Sequence, residues 1–558
     1  MRRLLLLSGL AVVLGIAGGG AAWVLLKLIN LMSEHRPGGI GLIIVAVGGA
    51  TAVSLLAKWS PVIRGHGIPE AMEAILVRQS KVSPRTALAK PISAAIAIGT
   101  GAPFGAEGPI IVTGGSLGSL IGQVVPVSPS ERKILLAAGA AAGMAATFGA
   151  PLASVVLAIE LLLFEFSARS IVPIVIASSI AAGMHTLLFG PGPLFQVPVH
   201  GYLGLGSLPA FAILGLGAGF LAVIIAKGLF TVEAWYRRLP VGEFWHPMIG
   251  ALGFAVVGLF VPRILGVGYN VIGDILSNRL AAGTVAVIAG AKLVAWWLAL
   301  ASGTSGGTLA PILMISAGYG LLFGDAMHHL FPHVSAGPFA LVAMAATFGA
   351  ATRASLTAMV FVFELTRDYQ VMLPLMLATV VADLVSAALL PESIMTEKLY
   401  RRGLAVRTDY EVDALRATRV REIMTTPVDT LPASATVAEA RAALAAGPHG
   451  AYPVVDESGT CVGIVARGDL LRLENGGAHD AEPVLDNASH DVVSVSDDAL
   501  GIAVVEIMLR EKIEHVPVIK DGQLVGICTR TDVLRARQRQ LELESLQPGW
   551  RGFRARLS

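Results

Sequence analysis

Charge is scarce in this sequence, and unevenly so. Only 14% of the 558 residues are Asp, Glu, Lys or Arg, where a soluble domain carries about 25%. Mean hydropathy is +0.71. From Leu4 to about Leu390, apolar runs such as "LIIVAVGGATAVSLLA" and "LPAFAILGLGAGFLAVIIA" recur, long enough for a bilayer. That excludes an ordinary soluble protein. The runs are also too long for barrel strands, leaving a polytopic α-helical membrane protein. Cysteine is nearly absent: Cys461 and Cys528 both fall in the polar C-terminal part, which excludes a disulfide framework and fits a reducing compartment. A net charge of +2 gives no footing for a nucleic-acid partner, and none is expected. Clustered oxygen ligands are missing too. Glu107, Glu160, Glu364 and Asp383 each sit in a different segment, a poor start for a divalent-cation cage. No His-Glu-x-x-His pair marks a protease, so neither an enzyme nor a metal site is expected. His328-His329, in "GDAMHHLFPHVS", reads as a solvated connection. The N-terminal run continues through Leu28 without a clean cleavage signature, so it reads as a retained first helix.

What is present is repetition. Gly101, Gly105, Pro109 and Gly118 match Gly303, Gly307, Pro311 and Gly320 at a constant offset of 202, which Lys90 and Lys292 share. "MAATFGA" at 144–150 recurs letter for letter at 344–350, and "PLASVVLAIEL" and "SLTAMVFVFEL" follow. Paired Gly/Pro interruptions in duplicated apolar halves point to a transporter with its site at the repeat interface. Packing seams alone would explain the glycines but not the paired Gly-x-x-x-Pro elements. The halves are placed at 1–195 and 205–395, within a membrane domain of residues 1–405.

Three short elements share one chemistry: "GHGIP" (Gly65, His66, Gly67, Ile68, Pro69), "GAEGP" (Gly105, Ala106, Glu107, Gly108, Pro109) and "GTLAP" (Gly307, Thr308, Leu309, Ala310, Pro311). Each is a glycine turn with proline soon after, the signature of a helix start. Helix N-termini present free N–H groups and partial positive charge, so several converging make an anion site. Such a site binds an ion without a fixed cation that would hold it too tightly to conduct. Glu107, a lone carboxylate in membrane-like sequence, marks a functional position. As a tethered anion it would block such a site, and protonation would release it. The alternative is a structural ion pair with Lys90 or Lys292.

These three motifs, together with "FELTRDYQVMLPLM" at 363–376, resemble the GxGIP, GxEGP and GxxxP signatures of the CLC family of chloride channels and proton/chloride exchangers. The resemblance covers essentially 1–406. It implies a CLC fold with an inverted internal repeat and a homodimer whose subunits each carry an anion pathway. It also implies chloride or a similar monovalent anion as substrate, with Glu107 as the gate. Backbone amides at Thr308, Leu309 and Ala106–Gly108 would face bound anions. Departures accompany it. His66 stands where the family has serine, as a donor to the anion or a water-satisfied pore residue. Met395 stands at the inner tyrosine position, Tyr400 being the other candidate. Ala106 replaces an arginine, and Leu309 a phenylalanine. Exchangers of the family carry an inner proton-transfer glutamate where this chain has Leu161, after Glu160. Glu165, about 140° further around a helix, is a poor substitute. The sequence thus leans slightly to a passive voltage- or pH-gated chloride channel. A proton-coupled antiporter is the alternative and a CBS-containing divalent-cation transporter a more distant one.

After a linker at 406–417 the chain becomes charged. "AYPVVDESGTCVGIVARGDLL" (451–471) resembles "HVPVIKDGQLVGICTRTDVL" (515–534), with Gly463 and Asp469 opposite Gly526 and Asp532. Each unit reads as helix, strand, turn, strand and closing helix. The pair, 418–475 and 485–538, resembles a tandem CBS module of α/β structure, with a tail at 539–558. That resemblance implies a cytoplasmic module under a multi-pass protein of the cell membrane. It also implies regulatory ATP, ADP or AMP, with no cofactor required. The Ser/Thr-x-x-Asp element stands intact as Thr529 to Asp532, while the first repeat keeps Asp469 but has Ala466 for the hydroxyl. One competent nucleotide site is expected, or a pair that only braces the dimer.

Overall fold

The computed structural model describes residues 2–195, 197, 204–327, 336–404, 415, 418–447, 449–469, 480–489 and 491–546, with side chains to 539. His328, His329, most of the expected linker at 406–417, residues 470–475 of the first soluble repeat and 547–558 lie outside it. The chain divides into two compact units, Met1–Tyr410 and Glu411–Ser558.

The first unit is helical. Its first half runs α1 (Arg2–Glu34), α2 (Ile40–Trp59), α3 (Ile68–Val77), α4 (Pro84–Gly99), α5 (Glu107–Val124), α6 (Pro129–Phe148), α7 (Pro151–Leu157) and α8 (Ala168–Phe189). The second half repeats the order as α9 (Leu208–Arg238), α10 (His246–Phe260), α11 (Tyr269–Leu276), α12 (Ala282–Ala301), α13 (Leu309–Met327), α14 (Ala336–Thr352), α15 (Ser355–Thr366) and α16 (Met372–Leu389). A short α17 (Glu397–Arg401) follows. Among the described residues, seven helices are long and apolar enough to cross a membrane.

Local sequence explains where helices begin. Pro84, Pro129 and Pro151 occupy first-turn positions, where a missing N–H costs nothing. Ser83 and Ser128 accept from the first-turn amides of α4 and α6. The core is built around α6 and α14, whose alanine- and glycine-rich sequences are buried over 134–148 and 336–352. Gly114 on α5 and Gly139 on α6 face each other so closely that a Cβ on either would strike the other's carbonyl oxygen. Packing seams therefore do exist, and the repeated Gly118 and Gly320 belong to them, lying against Leu135 O on α6 and Phe339 O on α14.

The halves meet across a local two-fold relation. Gly105 N–H donates to Gly307 O at 3.3 Å, and Gly307 N–H returns the bond to Gly105 O at 2.9 Å. The matched glutamates exchange caps in the same way. Glu160 accepts from Thr357 N–H at 2.9 Å and its hydroxyl at 2.6 Å, at the start of α15. Glu364 accepts from Leu152 and Ala153 N–H at 3.0 and 2.8 Å, at the start of α7. Carboxylates satisfy free N–H groups and favour the positive helix end.

The second unit holds two three-stranded sheets of one design. In the first, β1 (Leu431–Pro432) pairs parallel with β2 (Ala451–Val455), which pairs antiparallel with β3 (Cys461–Ala466). In the second, β4 (Val495–Ser496), β5 (His515–Lys520) and β6 (Gln523–Thr529) repeat that order. The hairpins follow the repeat read from sequence, and the two-residue leading strands are an addition. Both cysteines are buried and free.

Candidate anion pathway

The three motifs begin helices as their prolines predict: α3 at Ile68, α5 at Glu107 and α13 at Leu309. A fourth start joins them. "PVIRGHG" at 61–67 recurs as "PRILGVG" at 262–268, and Gly67 (φ 91°) and Gly268 (φ 81°) both take the left-handed turn that glycine tolerates best. Lys90 donates to Ile63 O at 2.8 Å and Gly65 O at 2.7 Å. Lys292 does the same to Ile264 O at 2.9 Å and Gly266 O at 2.8 Å. Each fully buried ammonium thus braces one turn, and neither forms a salt bridge with Glu107. The ion-pair alternative for Glu107 is not what the structure contains.

The carboxylate of Glu107 lies at the repeat interface and is 2% exposed. The hydroxyl of Tyr269, first residue of α11, donates to its Oε1 at 3.0 Å. Oε2 lies against the Gly105–Gly307 bridge, where a Cβ on either glycine would overlap it, and it has no hydrogen-bond partner. Backbone N–H groups of Glu107 and Ala310 face the carboxylate. It therefore stands among helix starts, where an anion is favoured. Phe148 holds Tyr269 edge-on, ring centres 6.1 Å apart.

Beneath the carboxylate is a small cavity of about 10 Å³, counted as room for the centre of a water-sized sphere, about enough for one water. Glu107, Gly108, Ile68, Thr308, Leu309 and Met395 line it, with Leu161, Phe348 and other apolar side chains. The predicted residues Ile68, Glu107, Gly108, Thr308, Leu309 and Met395 therefore come together. Gly67, Pro69, Gly105, Ala106, Pro109, Gly307, Ala310 and Pro311 shape the turns and first helical residues around them. Tyr400 is exposed and is not a lining residue. His66 is outside that lining. Its buried ring faces Glu70, Lys398, Lys90 and the Ile394 backbone, and its Nδ1 has no partner.

Three acids differ from expectation. Glu165 is not on the helix of Glu160, because a π-turn over Ala158–Leu163 ends at Phe164 with φ 55°; it pairs with Lys133 at 3.6 Å. Glu160 and Asp383, far apart in sequence, are within electrostatic reach, with Arg353 at 3.9 Å from Asp383. Tyr269 was not singled out from sequence. Its signal was the second Pro-x-Ile-x-Gly-x-Gly copy, whose offset of 201 differs by one from that of the lysines.

In the second unit Thr529 and Asp532 meet. Asp532 Oδ2 accepts from the Thr529 amide at 2.9 Å and its hydroxyl at 2.6 Å, and Oδ1 accepts from the Thr425 hydroxyl at 2.9 Å. Asp469 accepts the corresponding amide bond, from Ala466 at 2.8 Å. His515 lies against Gly450, joining the repeats, and burial pushes its ring below the usual histidine range.

A duplicated helical membrane unit with a carboxylate among helix starts at the repeat interface defines an anion-transport protein. Residues 48–387 match the family model described as voltage gated chloride channel, and the chain belongs to that CLC family. Residues 420–476 and 485–539 match the CBS domain. The chain is 33% identical to the H(+)/Cl(-) exchange transporter ClcA of Salmonella agona, over 65% of this chain and 78% of that protein. It is 28% identical to the chloride channel protein CLC-f of Arabidopsis thaliana, over 92% and 74%. A crystal structure of a slow cyanobacterial Cl−/H+ antiporter matches with a TM-score of 0.65 and 26% identity, over 71% of this chain and 97% of that one. This is therefore a multi-pass membrane protein of CLC-type chloride transport, in a family of channels and transporters rather than enzymes.

Proposed function

We propose that this chain exchanges chloride for protons, with Glu107 alternating between the anion slot and a protonated, released state. The observation that carries it is the position of Glu107: among the described residues it is the only titratable one lining the central cavity, and its carboxylate stands among helix starts that favour an anion. A group that must vacate an anion site, and can vacate it as a neutral acid, links proton uptake to anion passage. The names of two relatives, an H(+)/Cl(-) exchange transporter and a Cl−/H+ antiporter, favour this reading over passive conduction. Leu161 and Met395 on the cavity wall favour the channel as a second reading. Paired chloride and proton fluxes in liposomes test it: uphill proton movement driven by a chloride gradient is expected, and chloride flux without it leaves the channel. Glu107→Gln should abolish proton movement and flatten the pH dependence of chloride flux, which in the native chain rises as pH falls and the gate is neutralised.

We further propose that the CBS pair lies in the cytoplasm beneath the cell membrane of a homodimer and binds one regulatory adenine nucleotide beside Thr529 and Asp532. Calorimetry of a 415–545 fragment with ATP, ADP and AMP tests this, with Asp532→Asn expected to remove the binding heat.

A further inference from the structure

A second, larger cavity of about 800 Å³ lies beside the first motif, lined by Gly65, Glu70 and Lys398 among other charged side chains. The small cavity under Glu107 is lined by Ile68 and Met395. His66 therefore sits in sequence between a residue of each. Its ring is 8% exposed with Nδ1 unpartnered, although Glu70 from α3, Lys398 from α17, Lys90 from α4 and the Ile394 backbone surround it. Lys398 pairs with Glu70 Oε1, and Glu70 Oε2 is buried without a partner. A buried histidine with a free ring nitrogen, next to an acid with a free oxygen, has the makings of a proton relay. The peptide of His66 also packs against the residue that follows the gate, since a Cβ on Gly108 would strike its carbonyl oxygen.

We infer that His66, fed by Glu70, is the proton-transfer group between the large cavity and Glu107. The inference rests on the exchange reading above. A proton from water in the large cavity passes by way of Glu70 to one ring nitrogen. The protonated ring then gives up a proton, through water, to the Glu107 carboxylate. Only N–H and O–H bonds form and break, and the imidazole returns to its neutral form for the next proton. Lys90 and Lys398 keep Glu70 from becoming a sink, because their positive charge opposes retention of a proton there.

The test uses the full chain in liposomes under an imposed chloride gradient, with chloride and proton movement recorded together. The native chain is expected to move protons uphill. His66→Gln should lower the proton-to-chloride ratio at least tenfold, whatever it does to chloride flux alone. A ratio within twofold of native overturns the inference and leaves exchange standing. If His66→Gln elutes as misfolded protein, Glu70→Gln takes its place, with at least a threefold fall expected and an unchanged ratio overturning. A native chain that moves no protons removes exchange and the relay together.

Discussion

Glu107 is buried near a lysine and bonds to none. Pairing would have stabilised the charged form but fixed it, since breaking a buried ion pair costs about 3–5 kcal/mol. Instead the two lysines are committed to backbone carbonyls, and one neutral hydroxyl, that of Tyr269, holds the carboxylate. A hydrogen bond to a charged group is worth about 1.5–3 kcal/mol, enough, on the gating proposed above, to keep Glu107 in the slot and little enough to be overcome. Tyr269→Phe should therefore raise chloride flux at neutral pH by about tenfold, since 1.4 kcal/mol is one decade. Stopped-flow efflux from liposomes at pH 7 measures it, and flux at or below the native value counts against Tyr269 as a latch.

Among the elements, short helices and their caps were the most legible from sequence. Glycine followed by proline fixed the starts of α3, α5 and α13, because few backbones but glycine's turn so sharply and proline belongs in a first turn. The exchange of caps by Glu160 and Glu364 was not legible. Each acid is four residues or fewer from its own helix end, while its partner amides lie about two hundred residues away in the other half. Two-fold symmetry about the Gly105–Gly307 bridge creates that contact, and no local pattern encodes it. Glu364→Ala should lower stability by about 1–2 kcal/mol, the size of a lost N-cap. It should leave the proton-to-chloride ratio intact, which separates a structural acid from a transport one; thermal unfolding in detergent and the paired flux assay read the two effects. In β5, the neutral ring of His515 is favoured by burial. The unfolded chain then binds more protons than the folded one as pH falls below about 6.5, so stability is lost on acidification. His515→Gln should blunt that loss in urea titrations of the second unit between pH 7 and 5.

At the scale of the whole molecule, sequence separated the two parts clearly because their compositions obey different solvents, bilayer and water. The compact units divide at Tyr410 and Glu411, each with its own core. Two such cores predict two unfolding transitions rather than a single cooperative one. Adenine nucleotide binds, on our reading, only beside Thr529 and Asp532, and a ligand stabilises what it binds. At a hundred times its dissociation constant the gain is about 2.7 kcal/mol. Scanning calorimetry of the full chain in detergent should therefore show the transition of residues 411–558 moving upward with ATP while that of the membrane unit stays in place. Asp532→Asn should hold both still. If both transitions rise together with nucleotide in the native chain, the two units are energetically coupled, and the CBS pair acts on the pathway through folding stability itself. If neither moves, the contacts of Asp532 with Thr425 and Thr529 serve only to cap the last helix and brace the sheet.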